Sequence, residues 1–377
     1  MIPVFDFLRA LAMLFVVYFH TITYHQGAVP FLGPIANSIS PLSYDQARLF
    51  SLLPFFNLGE IGVALFFLIS GFLILKSRES KTAVIFLEKR LIRIFPITVV
   101  GTIVVYLAII LVNQYAGGVS CGFNKSDLPL IITNALLIND LIPYQSSGSL
   151  FQTSIIMPHF WFLAVIVKYY ILMAIIQRYG QKLLLFYGLI LLLMSCLYIV
   201  FKGSFISHYL AVLAFSSHHI LYILIGSSLY YLVGEHVLKS TAFHCSKQIG
   251  YVLLLIAMFI LSFYVLREDK TFPIPSDMMK NYFLSLFIFI FALLLSPKIK
   301  LCPKIIKFFA DISFSAYVLH YSLGAVLIYL LLRIGMLNDH VFIMYLVVFA
   351  LIFLFSFILY HFIEQPFAKI QIYRKSK

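Results

Sequence analysis

Charge is what this chain has least of. Only 11% of its 377 residues are charged and just 14 are Asp or Glu, whereas 62% are hydrophobic. Soluble domains carry about a quarter charged residues, so a water-facing globule of this composition is excluded. Cysteine is scarce as well. Cys121, Cys196, Cys245 and Cys302 are scattered without a CxxC pair, which argues against a disulfide framework and a thiolate metal site; no metal is expected. No cationic stretch precedes the first apolar run and no small-residue cleavage site follows it, so the N-terminus does not read as a cleavable signal peptide. There is no low-complexity tract, no internal repeat, and no segment polar enough for a second soluble domain. The expectation is one domain over 1–377.

What replaces charge is a succession of apolar runs of membrane-spanning length, with a mean hydropathy of +1.02. The fold class expected is all-α, a polytopic integral membrane helix bundle of about ten transmembrane helices. They are placed at 4–25, 57–75, 96–114, 160–177, 183–201, 208–233, 249–266, 281–296, 311–333 and 341–363. Ser216-Ser217-His218-His219 marks a candidate break in the sixth. With residue 1 inside and the helices alternating, 18 Lys and Arg fall inside, 6 outside and 3 within helices. That bias places both termini in the cytoplasm. The net charge of +13 is thereby topological, and no nucleic-acid partner is expected. Two long connections, 26–56 and 115–159, fall outside; their neutral-polar and aromatic content suits a sugar or a plain linker.

The first apolar run carries groups a membrane helix avoids. Arg9 and His20 are 11 residues apart, about three turns, so they share a face roughly 16 Å apart along the axis. Asp6 lies three residues before Arg9, within ion-pair reach. Each such group costs a few kcal/mol in lipid and needs a partner or a task. Asp6 and Arg9 also fit interfacial anchors, and His20 a packing residue. His25, about 160° round from Arg9, is a poor member of the set.

Further along, Gly59-x-x-Gly62-Val63 leads into Ser70-Gly71-Phe72-Leu73-Ile74, where small residues admit a neighbouring helix or a ligand close to the backbone. Glu60, near the outer end, reads as solvated. Arg90 and Arg93 share a face at the inner end of the third helix. Paired guanidinium forks match phosphate, although juxtamembrane arginines also simply set topology. Pro96 is placed to open or kink that helix.

Taken together, these residues resemble the acyltransferase-3 family of bacterial membrane O-acyltransferases. The resemblance rests on Asp6-x-x-Arg9 with His20, on the Gly59 to Ile74 segment, on Arg90-x-x-Arg93 with Pro96, and on the closing Phe362-Ile363-Glu364-Gln365-Pro366-Phe367. Trp161-Phe162-Leu163 matches a family Trp-x-Leu segment, but the glutamate many relatives carry just after it is replaced here by Ile166, Val167 and Lys168. The soluble C-terminal esterase-like domain of some relatives is not expected here.

The resemblance implies an enzyme of the bacterial inner membrane that moves an acyl group, acetyl above all, from acyl-CoA to a sugar or polysaccharide hydroxyl. Acetyl-CoA phosphates would meet Arg90, Arg93 and Arg9, and the donor would run past Ser70, Gly71 and Trp161. His20 would act as general base or carry the acyl group itself, with Arg9 and Asp6 orienting the path. Glu364 reads as structural, and Asp45, His159, His320 and His361 as secondary candidates. His218 and His219, being adjacent, point apart and make a poor metal pair. The competing class is a transporter or flippase, or a non-catalytic export protein, with Asp6, Arg9, His20 and Lys168 as an ion relay.

Overall fold

The computed structural model describes residues 3–23, 56–78, 82–115, 128–141, 157–175, 181–204, 206–239, 247–267, 277–296, 303–333 and 341–373. His25, Asp45, Cys121, Cys245, Cys302 and most of the two long connections lie outside these residues. Among the described residues every regular element is helical. They are α1 Pro3–Thr23, α2 Leu58–Arg78, α3 Ala83–Tyr115, α4 Leu128–Ala135, α5 Trp161–Ile175, α6 Gln181–Val200 and α7 Ser207–Lys239. There follow α8 Lys247–Leu266, α9 Met278–Leu295, α10 Lys304–Asp311, α11 Ser313–Arg333, α12 Val341–Leu359 and α13 Gln365–Tyr373. Nine of the described helices are long and apolar enough to cross a membrane. The tenth expected span is α5, whose 15 residues reach about 22 Å at 1.5 Å per residue.

The bundle is built around α2, which packs on α1, α7 and α9, while α1 continues to α11 and α11 to α3 and α12. α2, α7 and α11 are the most buried of the spans, and α6, α8 and α12 the most exposed. The exposed side chains of the outer helices are apolar, among them Phe186, Leu193, Leu254, Phe291 and Leu346, as lipid contact requires. In lipid there is little hydrophobic gain from bringing two helices together, so the centre depends on close backbone packing. A Cβ on Gly62 would stand 2.5 Å from the Ala12 carbonyl oxygen of α1, and one on Gly71 would stand 2.1 Å from the Ile223 carbonyl oxygen of α7. Gly226 returns the contact, its Cβ position lying 2.5 Å from the Leu68 carbonyl oxygen.

Two expectations are corrected. The third helix begins at Ala83 and runs unbroken through Pro96, so Arg90 and Arg93 lie within a helix rather than before one. Each has company that keeps it there: Glu364 for Arg93, the rings of Phe86 and Tyr170 for Arg90. The candidate break at Ser216–His219 is absent, because the polar side chains find partners without opening the helix. Lys168 donates to Ser216, His218 pairs with Ser262, and His219 donates to the Phe215 carbonyl. The last span ends in a π-helical turn, Tyr360–Glu364, before α13. Such insertions turn side chains out of the regular helical register.

Candidate functional site

The starting ends of α1, α3 and α11 and the turn after α12 meet at one end of the bundle. Beside them α1, α2, α3, α5 and α11 enclose a cavity of about 420 Å³ whose walls include Arg9, Ser70, Arg90, Arg93, Phe162 and Tyr317. Its volume lies within the usual range of small-molecule sites, about 300–1,000 Å³. The remaining wall is largely apolar, from Phe66, Ile69, Leu73, Ile94, Leu163 and Ile166.

Three guanidinium groups come from two helices. Arg9 is held by Asp6, Nη2 to Oδ1 at 3.3 Å, with Asp6 buried behind it. Arg90 lies 5.7 Å from the ring centroids of both Phe86 and Tyr170, a cation–π arrangement that steadies a cation without cancelling it. Arg93 reaches Glu364, Nη2 to Oε1 at 3.4 Å, and Ser315 donates to the other carboxylate oxygen at 2.8 Å. The arginine is half-exposed while Glu364 is buried, so the guanidinium keeps a free side for an anion. Three cations against two carboxylates leave the end of the cavity positive.

His20 does not line the cavity. It sits on the far side of Tyr317, which is both a cavity wall and a neighbour of His320 and His159, with ring centroids at 5.4 and 5.5 Å. His20 Nδ1 lies 3.0 Å from the Val16 carbonyl oxygen and 3.2 Å from His320 Nε2. Tyr321 stands edge-on to it at 5.0 Å and Phe19 at 5.4 Å. His159 donates through Nε2 to the Val318 carbonyl at 3.0 Å, and the Tyr317 hydroxyl donates to the His159 carbonyl at 2.6 Å.

The structure therefore gathers Arg9, Arg90, Arg93 and Ser70 around one cavity, with Asp6 behind Arg9, and sets His20 beyond it, behind Tyr317 and His320. Two expected donor contacts fall elsewhere. Gly71 is not in the wall, because it is closed against the α7 backbone; the small residue serves helix packing. Trp161 points away, its ring among Phe67, Phe215 and His219 at 5.0–6.2 Å, while its neighbours Phe162 and Leu163 face the cavity. Glu60 is not merely solvated. It accepts from Asn281 at 2.7 Å and from Asn57 at 3.2 Å, joining α2 to α9. Lys168 pairs with Asp140 and donates to Ser216 at 2.9 Å, away from the cavity walls. His218 and His219 face different neighbours, Ser262 and Phe215, as adjacency requires. Among the described residues no group of three His, Cys, Asp or Glu is arranged to hold a metal ion.

Sequence reasoning named His320 without placing it, and missed Tyr317 and Tyr170 altogether. The available signal was His320 itself, a titratable group inside a spanning helix, as unusual in lipid as His20. Its partnership with a residue 300 positions away leaves no trace in local spacing.

The described residues thus form an all-α membrane bundle with a cationic, apolar-walled cavity and a histidine pair beyond it. The chain matches the acyltransferase domain family over residues 2–361 and belongs to that family of membrane acyltransferases. No curated protein and no solved structure matches it.

Proposed function

We propose that this protein is a membrane O-acyltransferase that moves an acyl group, acetyl in the first instance, from cytoplasmic acyl-CoA to a hydroxyl of a cell-surface or lipid-linked sugar, in the inner membrane of a bacterium. The observation that carries the reading is the cavity itself, with Arg9, Arg90 and Arg93 at one end and a wall at Tyr317 that leads through His320 to His20. Guanidinium forks match phosphate oxygens in pairs, so the nucleotide end of the donor docks there. The apolar wall accepts the thinner arm that carries the thioester. Tyr317 must move aside, or the thioester must pass its edge, for the acyl carbon to come within reach of His20.

The hydrogen-bond partners of His20 support a role as base. A carbonyl oxygen only accepts, so Nδ1 carries the hydrogen that faces Val16. In the neutral ring Nε2 then holds the lone pair that takes the proton of the incoming hydroxyl. The same lone pair would form an acyl-imidazole if the acyl group paused on the enzyme.

The test uses purified protein in lipid with radiolabelled acetyl-CoA. Wild type is expected to release CoA in the presence of an acceptor, and His20→Ala to lose about 10²-fold or more in turnover while still binding donor. Arg93→Ala is expected to weaken donor binding about tenfold, one charge-assisted contact's worth. Wild-type protein that binds no acyl-CoA would overturn the reading and favour transport.

A further inference from the structure

We infer that His320 is a positioning residue for His20: its Nε2 shares the His20 Nδ1–H with the Val16 carbonyl, reinforcing the tautomer and ring orientation that leave the His20 Nε2 lone pair for the acceptor hydroxyl. The inference rests on the proposed transfer reaction and adds a residue to it.

Two backbone carbonyls assign the protons independently. His320 Nδ1 lies 2.7 Å from the Tyr317 carbonyl oxygen, which only accepts, so His320 carries its hydrogen on Nδ1. A neutral imidazole has a single N–H, which makes His320 Nε2 an acceptor. The Val16 carbonyl, at 3.0 Å, separately requires the hydrogen of His20 to be on Nδ1. His20 Nδ1 and His320 Nε2 are 3.2 Å apart, so the one Nδ1–H is shared between the Val16 carbonyl oxygen and the His320 Nε2 lone pair. The opposite tautomer of either ring would set a lone pair against a carbonyl oxygen.

The surroundings hold this geometry. His320 is fully buried, and its ring meets His159 at 4.9 Å and Tyr317 at 5.4 Å. Tyr317 contributes three times over. Its carbonyl orients His320, its hydroxyl ties His159, and its ring forms the cavity wall.

In the reaction, the acceptor oxygen attacks the thioester carbonyl carbon as its proton passes to His20 Nε2. The carbon–sulfur bond then breaks, and the departing thiolate takes that proton back, giving the sugar ester and free CoA thiol. The Nδ1 proton stays in place throughout. While His20 is an imidazolium, its Nδ1–H···Nε2 bond to His320 becomes charge-assisted and shorter, which favours the charged intermediate. A carboxylate in the same place would give more stabilisation at the cost of a further ion within the bundle; a second imidazole avoids that ion.

The experiment compares two amides in the full-length protein in lipid. His320→Gln carries an acceptor oxygen out to the position of Nε2. His320→Asn reaches only the position of Nδ1, so it keeps a donor for Tyr317 but loses the acceptor. The Asn variant is expected to lower kcat about 100-fold with the acetyl-CoA KM within about twofold, and the Gln variant to recover to within about tenfold of wild type. Equal activities in the two variants, or loss of acetyl-CoA binding in both, would overturn the role. If only the Asn variant fails to bind donor, the Gln variant decides: near-normal turnover upholds the role, and lost turnover with intact binding ends it. His20→Ala, run alongside, separates the two readings. Normal turnover in that variant removes the base assignment itself, whereas an inactive His20→Ala beside a fully active Asn variant removes only His320.

Discussion

At the residue scale, the proposed function gives the Arg93–Glu364 ion pair two duties that mutagenesis can separate. Glu364 is buried and depends on Arg93 and Ser315 for its charge, so Arg93→Ala leaves a carboxylate poorly paired. Because Arg93 is half-exposed, screening limits the expected loss of stability to about 1 kcal/mol. Adding Glu364→Gln should recover the melting temperature, since a neutral amide keeps the Ser315 bond, but should not recover donor affinity. A double variant that regains acetyl-CoA binding would show that Arg93 acts only as a counter-ion to Glu364.

Elements are joined here by contacts with little tolerance. Gly71→Ala would force a methyl into the Ile223 carbonyl of α7 and is expected to cost about 1–3 kcal/mol by overpacking. Gly250→Ala in α8 meets nothing within 4 Å and should leave the melting temperature unchanged. Lys168 joins α5 to Asp140 and to Ser216 of α7. Lys168→Met should therefore destabilise the protein by about 1–3 kcal/mol, and Asp140→Asn in the same chain should restore much of that loss. Thermal unfolding in a single detergent reads all four variants. An unaltered melting point for Gly71→Ala would mean that α2 and α7 are not in backbone contact.

The whole molecule has a direction, and the proposed reaction depends on it. Donor binding at the arginine end requires that end to face the cytoplasm, with Thr82 inside and Gly203 outside. In a cysteine-free background, a membrane-impermeant thiol reagent applied to intact cells should label Gly203→Cys and spare Thr82→Cys. The reverse pattern would place the arginine cavity outside and end the acyl-CoA proposal. Because three cations face two carboxylates at the cavity mouth, the Kd for acetyl-CoA should rise with ionic strength, moderately, since the partly buried groups are less screened than surface ones. Turnover should also proceed without a proton gradient; dependence on one would favour the transporter class.

Much of the architecture was legible without coordinates. Span length and apolar composition alone require helices in lipid, where every backbone polar group must be satisfied within its own segment, and nearly all the expected helices exist where their apolar runs lie. The Asp6–Arg9 pair was legible for the same kind of reason, since its partners are three residues apart on one helix. The start of α3 was not, because Arg90 and Arg93 read as the charged inner flank of a span opened by Pro96 until Glu364, Phe86 and Tyr170 are brought beside them. Nor were the roles of Gly71 and Trp161, because spacing says which face a residue occupies but not which neighbour that face meets. Local sequence determined a membrane bundle of this family and the identity of its charged residues. Tertiary structure alone decided that His20 answers to His320 rather than to Arg9, because that pairing is made by two helices meeting across 300 residues of chain.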